Sequence, residues 1–168
     1  MPKIIENLES RLIAEAEKQI REVGYSAMTI RSVAKECGVG VGTVYNYFPS
    51  KGHLLTAFLL KDWGICFAAI TDVSDGADSP VPVLRFIYDQ LHQFNRRHQH
   101  IFQDDFSLAA VAASFSRFHA LLRSQLAQPL RKFCGSDFEA EFVIEALLTW
   151  TTAGRSFEEI YGMIGKLI

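Results

Sequence analysis

The sequence predicts an all-α fold: an N-terminal three-helix domain built around a helix-turn-helix, residues 1–50, followed by a helical bundle, residues 51–168. Three observations predict it. Apolar residues recur three and four positions apart over most of the chain, and strand-like alternation is almost absent. Turn-forming residues fall where these runs stop, as at Gly24, Gly38, Pro49-Ser50 and Gly135-Ser136. The stretch TIRSVAKECGVGVGTVYNYF, residues 29–48, has the pattern of two short helices crossing at a tight turn. With 168 residues, 49% hydrophobic and 21% charged, the chain has enough apolar material for a real core.

Taken in order, residues 4–23 place Ile4, Ile5, Leu8, Leu12, Ile13, Ala16, Ile20 and Val23 on one helical stripe, which Gly24 ends. Thr29 is a suitable N-cap for a short helix through Glu36, closed by Cys37-Gly38. A second short helix runs from Val41 to Phe48, where Pro49 breaks it. Ser50 caps a long helix from Lys51 to about Asp72. The segment SDGADSPVP, residues 74–82, reads as the clearest linker. Helical spacing covers 83–97, meets a polar patch at 95–100, and returns over 105–127 before Pro129. After the turn at Gly135-Ser136-Asp137, two closing helices follow at 138–152 and 156–167, separated near Gly154.

The 29–48 stretch meets strict local demands. Ala34 is small where the second helix crosses the first, and Gly38, four residues later, tolerates the positive φ of the turn. Val33, Cys37, Val39 and Val44 face the space between the helices, with Phe48 closing the motif against Leu12. A generic helical hairpin would need none of this spacing. Charge adds to the case. The formal net charge is −2, which alone speaks against a protein that coats nucleic acid. Between Thr29 and His53, however, there are three cations and one anion, against ten and thirteen from there to the end. The positive charge is local to the one segment shaped to enter a groove.

Other classes are excluded. Cys37, Cys66 and Cys134 are scattered and odd in number, which suits a reducing cytoplasm rather than a disulfide framework or zinc knuckle. Lys3, Glu6 and Glu9 stand where a secretory leader would be apolar. Lys61 and Asp62 interrupt the most apolar run, Leu54–Ile70, so no membrane span is expected. His98 and His100 are two apart, off a shared helix face and beside Arg96 and Arg97, so no metal is expected. His92 and His119 are read as surface or satisfied histidines. Asp104-Asp105 reads as a helix start. There is no nucleophile motif, and the GVGVG run at 38–42 follows no strand, so no enzyme activity and no cofactor are expected.

Residues 11–58 resemble the DNA-binding domain of TetR/AcrR-type transcriptional regulators, most closely over Gly42-Thr43-Val44-Tyr45-Asn46-Tyr47-Phe48-Pro49-Ser50-Lys51. The resemblance implies roles. Thr29 and Arg31 would meet the phosphate backbone. Gly42 and Thr43 would open the recognition helix in the major groove, followed by Tyr45, Asn46 and Tyr47, the last at a phosphate. Lys51 would draw a phosphate to the start of the long helix. Family members often have Ser-Lys at Gly40-Val41 and Glu at Gly52. Val41 therefore offers a thymine methyl contact instead of a cation.

The resemblance also implies a homodimer on double-stranded operator DNA, since one motif reads only a half-site. Phe142, Leu147, Trp150, Phe157, Ile160, Tyr161 and Ile164 on the last two helices are the expected interface, as a four-helix bundle, with Gly162 and Gly165 permitting close approach. Among 13 phenylalanines, Phe67, Phe86, Phe94, Phe102, Phe106, Phe115 and Phe118 cluster in the middle segment with Trp63. They would line a pocket for a small apolar or aromatic effector, or form ordinary core. The expected activity is repression relieved by that effector. Two alternatives remain open: a DNA-binding regulator controlled by a protein partner, and a helical small-molecule-binding protein or enzyme that does not bind DNA.

Overall fold

The computed structural model describes residues 7–102 and 105–168, with the side chains of His100 and of residues 102–115 outside it. Among the described residues there are eight α-helices and no strand. They are α1 Leu8–Ala27, α2 Ile30–Glu36, α3 Val41–Tyr47, α4 Lys51–Asp75, α5 Pro80–Phe102, α6 Asp105–Ala127, α7 Asp137–Thr152 and α8 Phe157–Ile164, with a 3-10 turn at Gln128–Phe133 between α6 and α7.

The chain forms two compact units, Met1–Asp62 with Gln99–Ser116, and Trp63–His98 with Arg117–Ile168. The expected boundary after residue 50 is therefore displaced. The first turns of α4 carry Leu54, Leu55, Phe58 and Leu59, all buried, within the first unit. Apolar side chains at that spacing need a core, and they extend the helix-turn-helix domain by three turns.

In the first unit, α1 buries Leu8, Leu12, Ile13, Ala16 and Ile20 as expected. Ile4 and Ile5 lie outside the described residues. Val23 does not join the stripe: it is 59% exposed. Gly24 sits at φ +83° and breaks the helix inside α1. After it Tyr25 and Met28 are buried, 4% and 0% exposed.

In the second unit, Trp63, Phe94 and Phe118 form one ring cluster, and Leu84, Ile87, Leu91, Val143, Ile144 and Leu147 are buried as well. The predicted linker is shorter than nine residues. α4 runs on to Asp75 and α5 begins at Pro80, because proline lacks only an N–H that the first turn leaves unused. The α4 carbonyl end is closed from outside, where Lys132 Nζ donates to Ser74 O at 2.8 Å and to Ala77 O at 2.9 Å. The polar patch at 95–100 interrupts nothing and lies inside α5. α4 is long and apolar enough, by length and composition, to cross a membrane. Its buried residues Leu54, Leu55, Phe58, Leu59, Trp63, Cys66 and Ile70 follow helical three-and-four spacing, so the apolar side is used within the protein.

Across α6 and α7, Glu145 accepts from His119 at 3.0 Å and from Arg123 at 3.4 Å. Burial pushes its carboxyl up, but the hydrogen bond and charge of His119 and the guanidinium of Arg123 outweigh burial and hold the pKa below the usual value. A depressed folded pKa stabilises above the unfolded value and is lost as pH falls through the folded one. Glu145→Gln is therefore expected to flatten the acid limb of stability, read as urea midpoints between about pH 5 and about pH 3. The amplitude is small because both side chains are about 40% exposed.

Candidate nucleic-acid interface

The interface is built from the turn outward. α2 starts in a capping box: Thr29 Oγ1 accepts the Ser32 N–H at 2.9 Å, and Ser32 Oγ accepts the Thr29 N–H at 3.1 Å. It ends at Gly38, φ +70°, where the Val39 N–H reaches Ala34 O at 3.0 Å and the Gly38 N–H reaches Lys35 O at 3.1 Å. This paired closure needs a left-handed residue, which is why glycine stands there. The Arg11 guanidinium donates to Cys37 O at 3.1 Å, placing a cation at the negative end of α2. Burial is the largest influence on the Cys37 thiol and pushes its pKa up, against the opposing charge of Arg11.

α3 is then split by side. Val44 and Phe48 are 0% and 5% exposed and hold it to the domain. Gly42, Tyr45, Asn46 and Tyr47 are exposed, while Val41 and Thr43 are half-buried. A methyl group built at Gly42 would meet nothing within 4 Å. Thr29 and Arg31 are exposed on α2. With Val41, Tyr45 and Lys51 they line one open groove of about 560 Å³. The groove thus brings together Thr29, Arg31, Val41, Tyr45 and Lys51, while Gly42, Thr43, Asn46 and Tyr47 do not line it.

Lys51 is more than a phosphate candidate. Its Nζ donates to Ser26 O at 3.2 Å and lies 4.2 Å from the centre of the Tyr25 ring, tying the end of α1 to the first turn of α4. Sequence reasoning missed Tyr25, Arg11 and Gln19, whose side chain joins Ser32. The signal available was the aromatic and Met28 following Gly24 in a three-residue step.

The middle aromatics divide. Trp63 and Phe94 pack edge to face at 5.6 Å, and Phe94 and Phe118 lie 6.0 Å apart. Trp63 Nε1 donates to Gln125 Oε1 at 2.9 Å. These three are core. Phe67 and Phe86 are half-buried. The expectations at Phe102, Phe106 and Phe115 fall on side chains outside the described residues.

The α7–α8 set also divides. Phe142 and Trp150 are 51% and 49% exposed and line a groove of about 460 Å³ with Ile160, Met163, Ile164 and Leu167. Tyr161 is half-buried and stacks on Phe157 at 5.5 Å. Leu147 and Phe157 do not reach that surface. Leu147 is 0% exposed on the inner side of α7. Phe157 is held under the Arg85 guanidinium, 4.0 Å from the ring centre. Period and composition could not say which side of a helix apolar on two sides faces inward. Gly162 has open space around it, whereas a side chain at Gly165 would come within 2.8 Å of the Tyr161 ring.

The histidines are accounted for separately: His92 stacks on Tyr88, and His98 is buried against Phe94. Among the described residues no group of three His, Cys, Asp or Glu side chains comes together.

Comparisons with known proteins agree with this geometry. Residues 12–58 match the family model described as bacterial regulatory proteins, tetR family. The HTH-type transcriptional repressor KstR of Mycobacterium tuberculosis is 26% identical, over 90% of this chain and 80% of its own length. Among solved structures, FadR of Thermus thermophilus, a TetR-family transcriptional repressor in complex with lauroyl-CoA, superposes with TM-score 0.70 at 19% identity, covering 95% of this chain and 92% of that one. RolR in complex with resorcinol gives 0.60 at 20% identity, covering 96% and 86%.

Proposed function

From the premise that the chain is a TetR-type DNA-binding transcriptional regulator, we propose that it represses as a cytoplasmic homodimer on a two-fold operator and leaves it on binding a small, largely apolar effector. The outer side of α3 carries the DNA part of this reading. Gly42 costs a helix roughly 1 kcal/mol relative to alanine, and among the described residues nothing beyond its own neighbours and helix backbone stands within 4 Å of its missing side chain. Close approach of backbone to an external surface accounts for a glycine there. Tyr45, Asn46 and Tyr47 beside it present hydrogen-bonding groups. Lauroyl-CoA and resorcinol, held by the FadR and RolR structures, support an apolar or aromatic effector for the aromatic-rich second unit.

The test is a fluorescence-anisotropy titration on the DNA upstream of the protein's own gene, at two salt concentrations. Gly42→Ala is expected to raise stability by about 0.5–1 kcal/mol and yet weaken binding. Tyr47→Ala and Thr43→Ala are expected to abolish binding with unchanged dimer mass. Variants that bind as the unaltered protein does would refute the assignment. Lauroyl-CoA and resorcinol serve as effector probes in the same titration, where release of the DNA supports the reading.

A further inference from the structure

We propose that Gln19 is a positioning residue for the DNA contact at Thr29, an inference that rests on reading Thr29 as a phosphate contact. Gln19 stands on the buried stripe of α1 between Ala16 and Ile20, and is itself 9% exposed. A buried amide carries a desolvation cost that an apolar residue in the same place would not. Both ends of the amide are bonded. Its Nε2 donates to Glu15 Oε1 at 2.8 Å, and its Oε1 accepts the Ser32 hydroxyl at 2.5 Å.

The relay continues to the surface. Taking the Ser32 proton keeps it from Thr29 O, the other acceptor, 2.8 Å away. Ser32 Oγ is then an acceptor toward Thr29, facing the Thr29 N–H and the Thr29 hydroxyl, each at 3.1 Å. With its N–H bonded to Ser32 Oγ and its Oγ1 accepting the Ser32 N–H, the exposed Thr29 is held in one rotamer, and its single hydroxyl proton rests on Ser32 Oγ until a phosphate oxygen takes it. Gln19 touches no DNA in this scheme. It acts through Ser32 by removing the ordering that Thr29 would otherwise undergo on binding.

The experiment uses the full chain and a duplex recovered by the unaltered protein from a random-sequence pool. Gln19→Met keeps the volume and removes the acceptor. It is expected to weaken binding about three- to tenfold, the size of one or two side chains re-ordered on association, and to leave the salt slope unchanged, because no cation is removed. In a Thr29→Ala background the same change is expected to cost nothing further, and Thr29→Ser is expected to restore the dependence. Equal loss in both backgrounds, or unchanged affinity, overturns the proposal, because a merely structural residue would act independently of Thr29. Full affinity in Thr29→Ala alone overturns the phosphate reading itself and separates the two failures. Should Gln19→Met fail to fold, Ser32→Ala cuts the same relay from its exposed end and must reproduce the pattern.

Discussion

Met163→Glu is expected to yield monomers and to weaken operator binding on the order of a hundredfold or more, with the melting temperature falling only by the share that assembly contributes. Met163 is 76% exposed and lines the α7–α8 groove with Phe142, Trp150 and Leu167. In a two-fold contact each copy would present the new carboxylate to the same surface of its mate. Burying an uncompensated charge costs about 3–5 kcal/mol. Arg155, which also lines the groove, already pairs with Glu159 at 3.1 Å. Because the site is exposed within one chain, the fold loses nothing. Sedimentation equilibrium reads the mass, and anisotropy reads the affinity. A variant that keeps the mass of the unaltered protein would overturn the proposed interface.

Trp63→Ala acts in the opposite way, on the fold rather than on assembly. It is expected to cost about 3–5 kcal/mol, a large part of the 5–15 kcal/mol that holds a typical domain together. Trp63 is 1% exposed, packs on Phe94, and satisfies Gln125 with its indole N–H. Truncation leaves a cavity and an amide with one acceptor unused. Trp63→Phe separates the two contributions: it keeps a ring against Phe94 and loses the hydrogen bond, about 1 kcal/mol. Urea midpoints of the three proteins give both numbers. A small effect of Trp63→Ala would mean that the aromatic cluster is less tightly packed than its ring distances indicate.

The difference between these two tryptophans, Trp63 inside and Trp150 half outside, is what sequence could not supply. Helical period tells which residues share a side; it does not tell which side finds a partner in the same chain. α7 shows this directly, with Leu148 and Trp150 both apolar and on opposite sides, 5% and 49% exposed. Local chemistry was far more legible. Thr29 as a cap, Gly38 as the left-handed turn, Pro49 as a break and Ser136 and Ser156 as starts are decided within three or four residues. Tyr25 escaped because its burial depends on a single positive φ at Gly24 and on Lys51, distant in sequence. The proposed DNA residues were nameable because a run as specific as GTVYNYFPSK ties type and spacing together. Gln19 was not, since a lone glutamine on an apolar stripe carries no pattern.

The division of α3 has an evolutionary consequence. Val44 and Phe48 anchor the helix, while Gly42, Tyr45 and Asn46 touch little of their own protein. In the proposed reading, the letters that spell an address are thus separate from those that keep the molecule upright. Such a helix can be rewritten for a new DNA sequence, by drift after gene duplication or by a library randomised at 45 and 46, with stability largely untouched at each intermediate step.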